Sequence, residues 1–458
     1  MISSPYLRPR SFDPRLSLWV AAQVLLAALF ALASPSAGQP PCAPLAPPTG
    51  TILEIQPSQA DQLRGLVSSS SSGTTLLLHD GYYDLSGGDA SHRLSFNTPN
   101  VTLRSASGNR AAVILDGAYG TNELVSIHAS NVVIADLTLK RAYDHPIHIS
   151  GPSGQSITGV TIHNVKITDP GQQAIKINPV SGGYADLGTI ECSLIELTDT
   201  GRAQVRGCYT GGIDAHQAWG WSIRRNRIEG FWCAEGLSEH GVHFWSSSRG
   251  TIVEENVILD CARGIGFGLG STGTSRDYPD NPYPGVDYVG HYDGVIRNNF
   301  IAAADSRLFQ SEYGFDTAIG LEQAHGTGIY HNSAVSTQTP RSSSIEWRFE
   351  NTLAEVTNNL VSHTLRARDG GAASLTTNLA GAPLDWFVEP TLGDLHLTTD
   401  AAGPIDNGTS LPSGIADGDI DLEPRDDPPD AGADEVTGLF FRDGFESAST
   451  DAWSQTFP

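Results

Sequence analysis

The chain has 458 residues, of which 51 are acidic and 27 are basic, so its formal net charge is −24. Phosphate contacts need clustered lysine and arginine, so this charge excludes a basic nucleic-acid-binding surface. Apolar residues make up 39% of the chain, which is enough for a hydrophobic core and excludes wholesale disorder. The 49 glycines and 27 prolines exceed the usual share and indicate many turns.

The first 37 residues are predicted to be a secretory signal peptide. Three arginines precede an apolar run from Leu16 to Ala33, and small residues up to Ala37 follow it. This order is typical of such leaders, and a retained N-terminal anchor helix is the alternative. No other stretch has the length needed to span a bilayer. We therefore expect a secreted protein, extracellular or periplasmic, with no membrane span once the leader is removed.

The five cysteines all follow this leader, where export permits disulfide bonds. No two of them have the CxxC spacing of a zinc or thioredoxin-type site. Cys192 can pair with Cys208, or Cys233 with Cys261, and one cysteine must be left over. The spacing does not decide between these connectivities.

A short helix is predicted near the start of the mature chain. Residues 58–61, Ser-Gln-Ala-Asp, have the pattern of a capping box, and Leu63, Leu66 and Val67 follow at helical spacing. After a serine run, Leu76 opens the first predicted strand.

An internal repeat determines the predicted fold. Pairs of apolar residues five positions apart recur, and their first members are 27 to 43 residues apart. The pairs are Ile134/Leu139, Ile162/Ile167, Ile190/Ile195, Ile223/Ile228, Val253/Ile258, Ile296/Ile301, Ile329/Ala334 and Val356/Val361. A further short strand of period two follows each pair. Because such short strands cannot bury their apolar faces alone, they are expected to stack as a parallel coil.

The later repeats share an asparagine three positions after the first member of each pair. These residues are Asn226, Asn256, Asn299, Asn332 and Asn359. An asparagine at a bend can adopt the left-handed conformation, and stacked asparagines can form an amide ladder.

With this repeat the chain resembles the secreted right-handed parallel β-helix proteins of the pectate-lyase-like superfamily. The resemblance implies an all-β solenoid over residues 38–400, with the short helix covering its first turn. Residues 401–458 are then an acidic C-terminal tail and extension. Most members of the superfamily are polysaccharide lyases and glycoside hydrolases, with some epimerases and adhesins, so a polysaccharide is the expected partner. We expect a monomer.

Two insertions interrupt the repeat. Residues 270–290 are rich in Tyr, Asp and Pro, and residues 303–315 enter just before the next strand. Long loops in a compact coil are usually functional, and aromatic faces can stack on sugars, so we predict that the insertions form the walls of a cleft. Insertions without a role are the alternative.

The C-terminal part is dense in acidic residues between Asp417 and Glu435. A calcium site is one prediction there, because hard cations take clustered oxygen ligands, and a solvated acidic tail is the alternative. Residues from Leu439 to Trp453 resemble a short extension found on exported bacterial proteins.

Two columns of outward side chains are predicted on one face of the coil when the period-two strands are stacked in register. The first column runs His148, Lys176, Asp214, His243, Gly266, Gly320, Glu346, and the second runs Ser150, Asn178, His216, Trp245, Gly268, Glu322, Arg348. Neighbours on adjacent strands lie within side-chain reach. The glycines are expected to leave a shelf for a ligand.

This face is the predicted active site. The predicted catalytic residues are Lys176, His243, His216 and Asp214, and the predicted substrate-binding residues are Trp245, Glu239, His240, Arg263, Glu322 and Arg348. β-Elimination on a uronate-containing glycan is the favoured reaction. Lys176 can act as base if it is desolvated and flanked by cations, and either histidine of the catalytic set is a simpler base.

The uronate carboxylate must also be neutralised in such a reaction. Asp214 and Glu322 can hold a calcium ion for this purpose, or Arg263 or Arg348 can bind the carboxylate directly. Hydrolysis is the first alternative reaction and needs two carboxyl groups about 5–9.5 Å apart, such as Asp214 with Glu239 or with Glu322. A non-catalytic carbohydrate-binding or adhesin coil is the second alternative.

Overall fold

The computed structural model describes residues 42–437. The predicted signal peptide and the extension from Leu439 onward lie outside these residues. Most of the described chain forms three long parallel sheets, because each turn contributes one short strand to each sheet. Over residues 42–437, no helix is long and apolar enough to cross a membrane.

Sheet 1 contains the first member of each apolar pair. Its 14 strands are Thr51–Ile55, Thr74–Leu78, Thr102–Ser105, Val133–Ala135, Thr161–His163, Thr189–Glu191, Ser222–Arg224, Ser248–Arg249, Ile252–Glu254, His291–Tyr292, Val295–Arg297, Ala324–Tyr330, Leu353–Thr357 and Ala372–Thr376.

Sheet 2 contains the second member of each pair. Its 11 strands are Gly81–Asp84, Val113–Asp116, Thr138–Lys140, Lys166–Thr168, Leu194–Glu196, Arg227–Glu229, Val257–Leu259, Phe300–Ala303, Ser333–Ser336, Leu360–Val361 and Leu379–Ala380.

Sheet 3 contains the period-two strands that carry the predicted site. Its 10 strands are Leu94–Phe96, Glu123–Ile127, His145–Ile149, Gln173–Ile177, Gly211–His216, His240–Trp245, Arg263–Phe267, Thr317–Glu322, Ser343–Arg348 and Leu365–Arg368.

The remaining elements are short. Two small strand pairs join Ile157–Thr158 to Ala185–Asp186 and Phe387–Glu389 to Asp394–Leu397. The helices are Ala60–Ser69, Asp89–His92, Asp199–Arg202 and Ser306–Gln310, with 3-10 turns at Pro57–Gln59, Leu384–Trp386 and Pro390–Leu392.

The three sheets wind as a right-handed parallel β-helix, so the predicted fold class is confirmed. Inward apolar residues stack directly on one another, as Ile162 does on Ile190 and Ile190 on Ile223. Parallel strands lie about 4.8 Å apart, so these stacks form one continuous buried core along the axis.

The predicted asparagine ladder lies at the bend between sheets 1 and 2. Each side-chain Nδ2 donates to the Oδ1 of the next asparagine at 2.9–3.0 Å, and the ladder continues to Asn378. The left-handed conformation falls on the residue before each ladder asparagine, such as Arg225 or Glu255, and so its predicted position is wrong. The bend needs the positive φ one position earlier, which leaves the asparagine side chain free to point inward.

The N-terminal end of the coil is covered by the helix Ala60–Ser69, whose Leu63 and Val67 enter the main core. The coil begins at strand Thr51–Ile55, before the predicted start. The capping box lies two residues earlier than predicted, between Gln56 and Gln59, because a 3-10 turn precedes the α-helix.

The C-terminal end of the coil is open over residues 42–437. The last turn comprises Leu365–Arg368, Ala372–Thr376 and Leu379–Ala380. The residue of this turn that stacks on buried Val356 is Leu375, and it is 55% exposed. After this turn the chain packs Phe387 and Leu395 against the outer side of sheet 2.

The acidic segment Asp417–Glu435 is folded against the coil, so the prediction of a solvated tail is wrong. Asp419, Asp430 and Glu435 are buried. Their carboxylates accept backbone N–H groups, and Arg425 lies 3.1 Å from the carboxylate of Glu435. A calcium ion in this segment stays a prediction.

Both predicted cysteine pairings are wrong, although one cysteine is left over as expected. The disulfides are Cys42–Cys192 and Cys208–Cys233, and Cys261 is free and buried. Cys192 lies at the bend between sheets 1 and 2, whereas Cys208 precedes sheet 3. The coil therefore places these two residues at different corners of its cross-section.

Candidate functional site

The first outward column of sheet 3 has the predicted register. Lys176 pairs with Asp214, and Asp214 pairs with His243 on the next strand. The column continues through Gly266 and Gly320. The predicted alignment is therefore confirmed, and the sheet brings the charged side chains of three successive turns together.

Lys176 is the centre of a compact polar cluster. Its Nζ donates hydrogen bonds to Asp214 Oδ2, to Tyr209 Oη at 3.2 Å and to His216 Nε2 at 2.9 Å. Tyr209 was not predicted as a site residue, because it lies outside the strand pattern. Its position next to Cys208, which is tied to Cys233, is the one signal that could have indicated it.

Lys176 does not have the environment predicted for a base. Burial alone would lower the pKa of its ammonium group, but attraction to the Asp214 carboxylate and hydrogen bonding to it raise that pKa above its usual range. The expected flanking cations are replaced by this carboxylate. Lys176 is therefore a fixed positive charge.

Asp214 is an ionised carboxylate whose two oxygens are both occupied. Oδ2 accepts from Lys176, and Oδ1 accepts from Trp245 Nε1 at 2.8 Å. Burial alone would raise the pKa of Asp214, but the nearby His216, whose Nε2 lies 3.5 Å from Oδ2, and the charge of Lys176 lower it. Because both oxygens face N–H donors, Asp214 does not fit as a calcium ligand.

Glu322 does not join this cluster. Its strand is three strands from that of Asp214, which is about 14 Å at the usual strand spacing. A calcium ion shared by these two residues, or a hydrolytic pair made from them, is therefore a wrong prediction. Glu322 instead pairs with Arg348 at 2.9 Å and accepts from the backbone N–H of Gly270.

His243 lies beneath the surface of the face and is fully buried. Its Nδ1 is 2.9 Å from Glu239 Oε2, and its Nε2 is 3.0 Å from the carbonyl oxygen of Gly268. Both partners accept hydrogen bonds, so both ring nitrogens are engaged. The indole of Trp245 stacks on the ring. In this arrangement His243 supports the face and does not reach a ligand.

Glu239 lies beneath the face, and its carboxylate is close to two histidines and to Arg263. Burial would raise its pKa, but the adjacent His240, the hydrogen-bonded His243 and the charge of Arg263 hold that pKa well below its usual range. Burial lowers the pKa of His240, so this ring is neutral. Arg263 donates to the carbonyl oxygen of Ser238 and lies 3.6 Å from Glu239.

The predicted glycine shelf is filled by protein atoms at two of its three positions, Gly266 and Gly268. A Cβ on Gly266 would lie 2.5 Å from the His240 ring, so this glycine makes room for the imidazole. Gly268 has a positive φ, and its missing side chain makes room for the backbone of Glu322. The prediction of free space for a ligand at these two positions is wrong.

The two insertions lie at opposite ends of the sheet 3 strands. Residues 270–290 contact residues that follow the strands, because Gln217 and Gln323 donate to backbone oxygens of this insertion. Residues 303–315 contact the segment that precedes a strand, through the pairing of Glu312 with Ala234. The two insertions therefore lie on opposite sides of the polar face, and a cleft between them stays a prediction.

Exposure shows which side chains a ligand meets first. Tyr209 is 41% exposed, the side chain of His216 is 23% exposed, and that of Lys176 is 9% exposed. An approaching ligand therefore contacts the phenol and the imidazole, with the ammonium group immediately behind them.

Among residues 42–437, three groups of side chains have ligand atoms within 4.8 Å of one another, which is a spacing that can hold a metal ion. They are His163, Glu191 and Cys192; Glu239, His240 and His243; and His396, Asp421 and Asp434. Cys192 is already in a disulfide, Arg263 lies beside the carboxylate of Glu239, and the His396 imidazole bridges two carboxylates.

No family model matches this sequence, and no curated protein matches it. Among solved structures, pectate lyase Pel9A is similar over 84% of this chain and 96% of its own, with a TM-score of 0.50 and 14% identity. An alginate lyase from Paenibacillus sp. str. FPU-7 has a TM-score of 0.48 and 15% identity, covering 72% of this chain and 99% of its own. A polygalacturonase from Erwinia carotovora ssp. carotovora has a TM-score of 0.34 and 13% identity, covering 74% and 96%. The chain has the pectate-lyase-like parallel β-helix fold.

Proposed function

We propose that this protein is a polysaccharide lyase that cleaves a uronate-containing glycan at the cluster formed by Lys176, Tyr209 and His216. The observation that carries the proposal is a fixed ammonium group beside an exposed phenol and an exposed imidazole. An anionic carboxylate suits such a charge, and the two neighbouring groups suit proton transfer. The shared fold with a protein named pectate lyase supports this substrate class.

The elimination assigns one task to each side chain. Lys176 binds the uronate carboxylate and stabilises the negative charge that develops on it when the adjacent C–H bond breaks. Lys176 exchanges its hydrogen bond to His216 for one to the carboxylate, and the freed Nε2 of His216 accepts that proton. The electron pair forms the new C=C bond, the glycosidic C–O bond breaks, and the Tyr209 hydroxyl donates its proton to the departing oxygen.

Asp214, Trp245 and His243 act as positioning residues in this mechanism. Asp214 holds the ammonium group of Lys176, and the Trp245 indole holds Asp214 from the other side. His243 and Glu239 support this arrangement from below. Rigid support of this kind keeps the reacting groups in place.

Hydrolysis has less support from the same geometry. It needs one carboxyl group that is protonated and can donate to the leaving oxygen. Asp214 and Glu239 both have lowered pKa values, because cationic and N–H partners stabilise their carboxylates. Both carboxylates are also largely buried.

Export as a monomer completes the proposal. The leader-like pattern of residues 1–37 supports export, and the two disulfides suit an oxidising compartment.

The test is a panel of glycans with two readouts. Purified protein is incubated with polygalacturonate, alginate and neutral glycans, and both the ultraviolet absorbance of unsaturated products and the number of reducing ends are recorded. We expect absorbance and reducing ends to rise together on a uronate glycan. Reducing ends without absorbance would indicate hydrolysis, and neither signal on any glycan would contradict an enzymatic role.

The decisive variant removes the ammonium group. Lys176→Met combined with Asp214→Asn removes both charges of the buried pair, so no lone buried carboxylate is left. We expect a loss of turnover of at least about 100-fold with retained folding by circular dichroism. Lys166→Met is the matched control, since Lys166 lies on sheet 2 and pairs with Glu196. EDTA is expected to leave turnover unchanged, because the oxygens of Asp214 are occupied.

A further inference from the structure

The first insertion encloses a cavity next to the sheet 1 strand His291–Tyr292. Its volume is about 330 Å³, which lies in the range of roughly 300–1,000 Å³ typical of small-molecule sites. The residues that give it its chemistry are Arg276, Tyr278, Asn281, Asp287, Tyr288 and Tyr292.

The cavity offers aromatic rings. Tyr278, Tyr288 and Tyr292 all line it. The hydroxyl of Tyr288 is buried against Gly273 and does not reach the open space, so the ring of Tyr288 is the part that a ligand meets. Rings together with polar hydrogen-bonding groups suit a sugar.

The charges around the cavity disfavour an anionic sugar. Arg276 is the cation of the lining, but it is already paired with both carboxylate oxygens of Asp186 at 2.7 and 2.8 Å. Asp277 and Asp287 also line the cavity and bring negative charge. A uronate would be repelled there, whereas an uncharged sugar would not.

The cavity is connected to the polar face by direct contacts. Arg276 donates to the carbonyl oxygen of Gln217, the residue that follows His216, and the Gln217 amide donates to the carbonyl oxygen of Ser275. Tyr278 Oη donates to the carbonyl oxygen of Ser247, two residues after Trp245. The cavity therefore adjoins the C-terminal ends of the two strands that carry His216 and Trp245.

We infer that this cavity binds a neutral sugar unit of the glycan whose neighbouring uronate occupies the Lys176 cluster. This inference rests on the proposed lyase function and makes it more specific. The substrate is then a heteropolysaccharide in which uronate and neutral sugars alternate, and polymers made only of uronate are poorer ligands.

Binding is tested by affinity gel electrophoresis, which needs no turnover. The probes are a rhamnogalacturonan backbone, which alternates galacturonate with rhamnose, and polygalacturonate. The Lys176→Met and Asp214→Asn double variant serves as background, so that the probes are not degraded. We expect stronger retardation by the alternating polymer than by the uronate polymer.

Two cavity variants are compared in this background. Tyr292→Ala removes a ring and is expected to weaken binding of the alternating polymer about tenfold, which corresponds to about 1.4 kcal/mol. Tyr288→Ala removes a second ring of the lining and is also expected to weaken binding severalfold. Tyr283→Phe is the control, because Tyr283 lies in the same insertion and bonds Asp293.

The outcomes separate this inference from the lyase proposal. Equal retardation of both cavity variants and the control by the alternating polymer would overturn the inference, as would no retardation of the background protein by that polymer. If the protein cleaves polygalacturonate by elimination and the cavity variants bind like the control, the lyase proposal stands and the neutral-sugar site is rejected. If the cavity variants weaken binding but no glycan is cleaved by elimination, the neutral-sugar site stands and the lyase proposal is rejected.

Discussion

At the scale of single residues, the chemistry of the face depends on which groups are exposed. His243 and Asp214 are buried and positioned by neighbours, whereas Tyr209 and His216 reach solvent. The alignment of Lys176, Asp214 and His243 was predictable, because a strand period of two fixes which side chains point outward. Their burial was not predictable, because it depends on loops far away in the chain.

A prediction at this scale concerns the phenol of Tyr209. Tyr209→Phe removes the proton donor for the departing oxygen and keeps the ring, so turnover is expected to fall about 100-fold with little change in thermal stability. Initial rates on the best glycan of the panel measure this. Tyr143→Phe is the matched control, because Tyr143 is similarly exposed and its ring packs against Arg206. An unchanged rate for Tyr209→Phe would remove this residue from the mechanism.

At the scale of structural elements, each turn is held by its bend as well as by its strands. Asn299 donates to the carbonyl oxygens of Val253 and Arg297 and to Asn332 Oδ1. The asparagine positions were predictable from their spacing. The left-handed residue before each of them was not, because residues as different as Arg225 and His331 occupy that position.

Replacement of a central ladder residue is expected to be costly. Asn299→Ala leaves several buried backbone groups without partners and is expected to lower the free energy of unfolding by about 3 kcal/mol. Asn378→Ala is the matched control, since Asn378 is the last, half-buried member of the ladder and should cost less than half as much. Thermal unfolding of both variants measures the difference. Equal losses of stability in the two variants would contradict a larger contribution from the central asparagine.

At the scale of the whole molecule, a separate C-terminal segment packs on the outer side of sheet 2. Within this segment His396 bridges Asp394 and Asp421. Its Nδ1 lies 2.5 Å from Asp394, and its Nε2 lies 2.7 Å from Asp421. Burial alone would lower the pKa of His396, but hydrogen bonds to both carboxylates raise it to about 10. The acidic composition was visible in the sequence, but the burial of these acids depends on partners that are distant in the chain.

The raised pKa makes the stability of this segment depend on pH. The charged imidazole stabilises the fold fully below its unfolded pKa of about 6.5, and this contribution is lost as pH rises toward about 10. His396→Gln is therefore expected to reduce stability by about 2 kcal/mol at pH 6 and by much less at pH 10. Thermal unfolding at both pH values measures this, with His79→Gln as an exposed control. A loss that does not vary with pH would contradict the charge-based explanation.

The uncovered last turn has a consequence for the length of this coil. Among residues 42–437, the last strand of sheet 1, Ala372–Thr376, has an unpaired edge, and Leu375 exposes its apolar side chain. Each earlier turn offers the same edge and the same apolar surface to the turn that follows it. Another turn of the same kind would therefore pack here. Closed barrels have a strand number fixed by geometry, whereas this architecture can grow by whole turns without disturbing those already in place. Repeats grafted after Ala380 would thus lengthen the outer face of sheet 3 while the Lys176 cluster stays where it is.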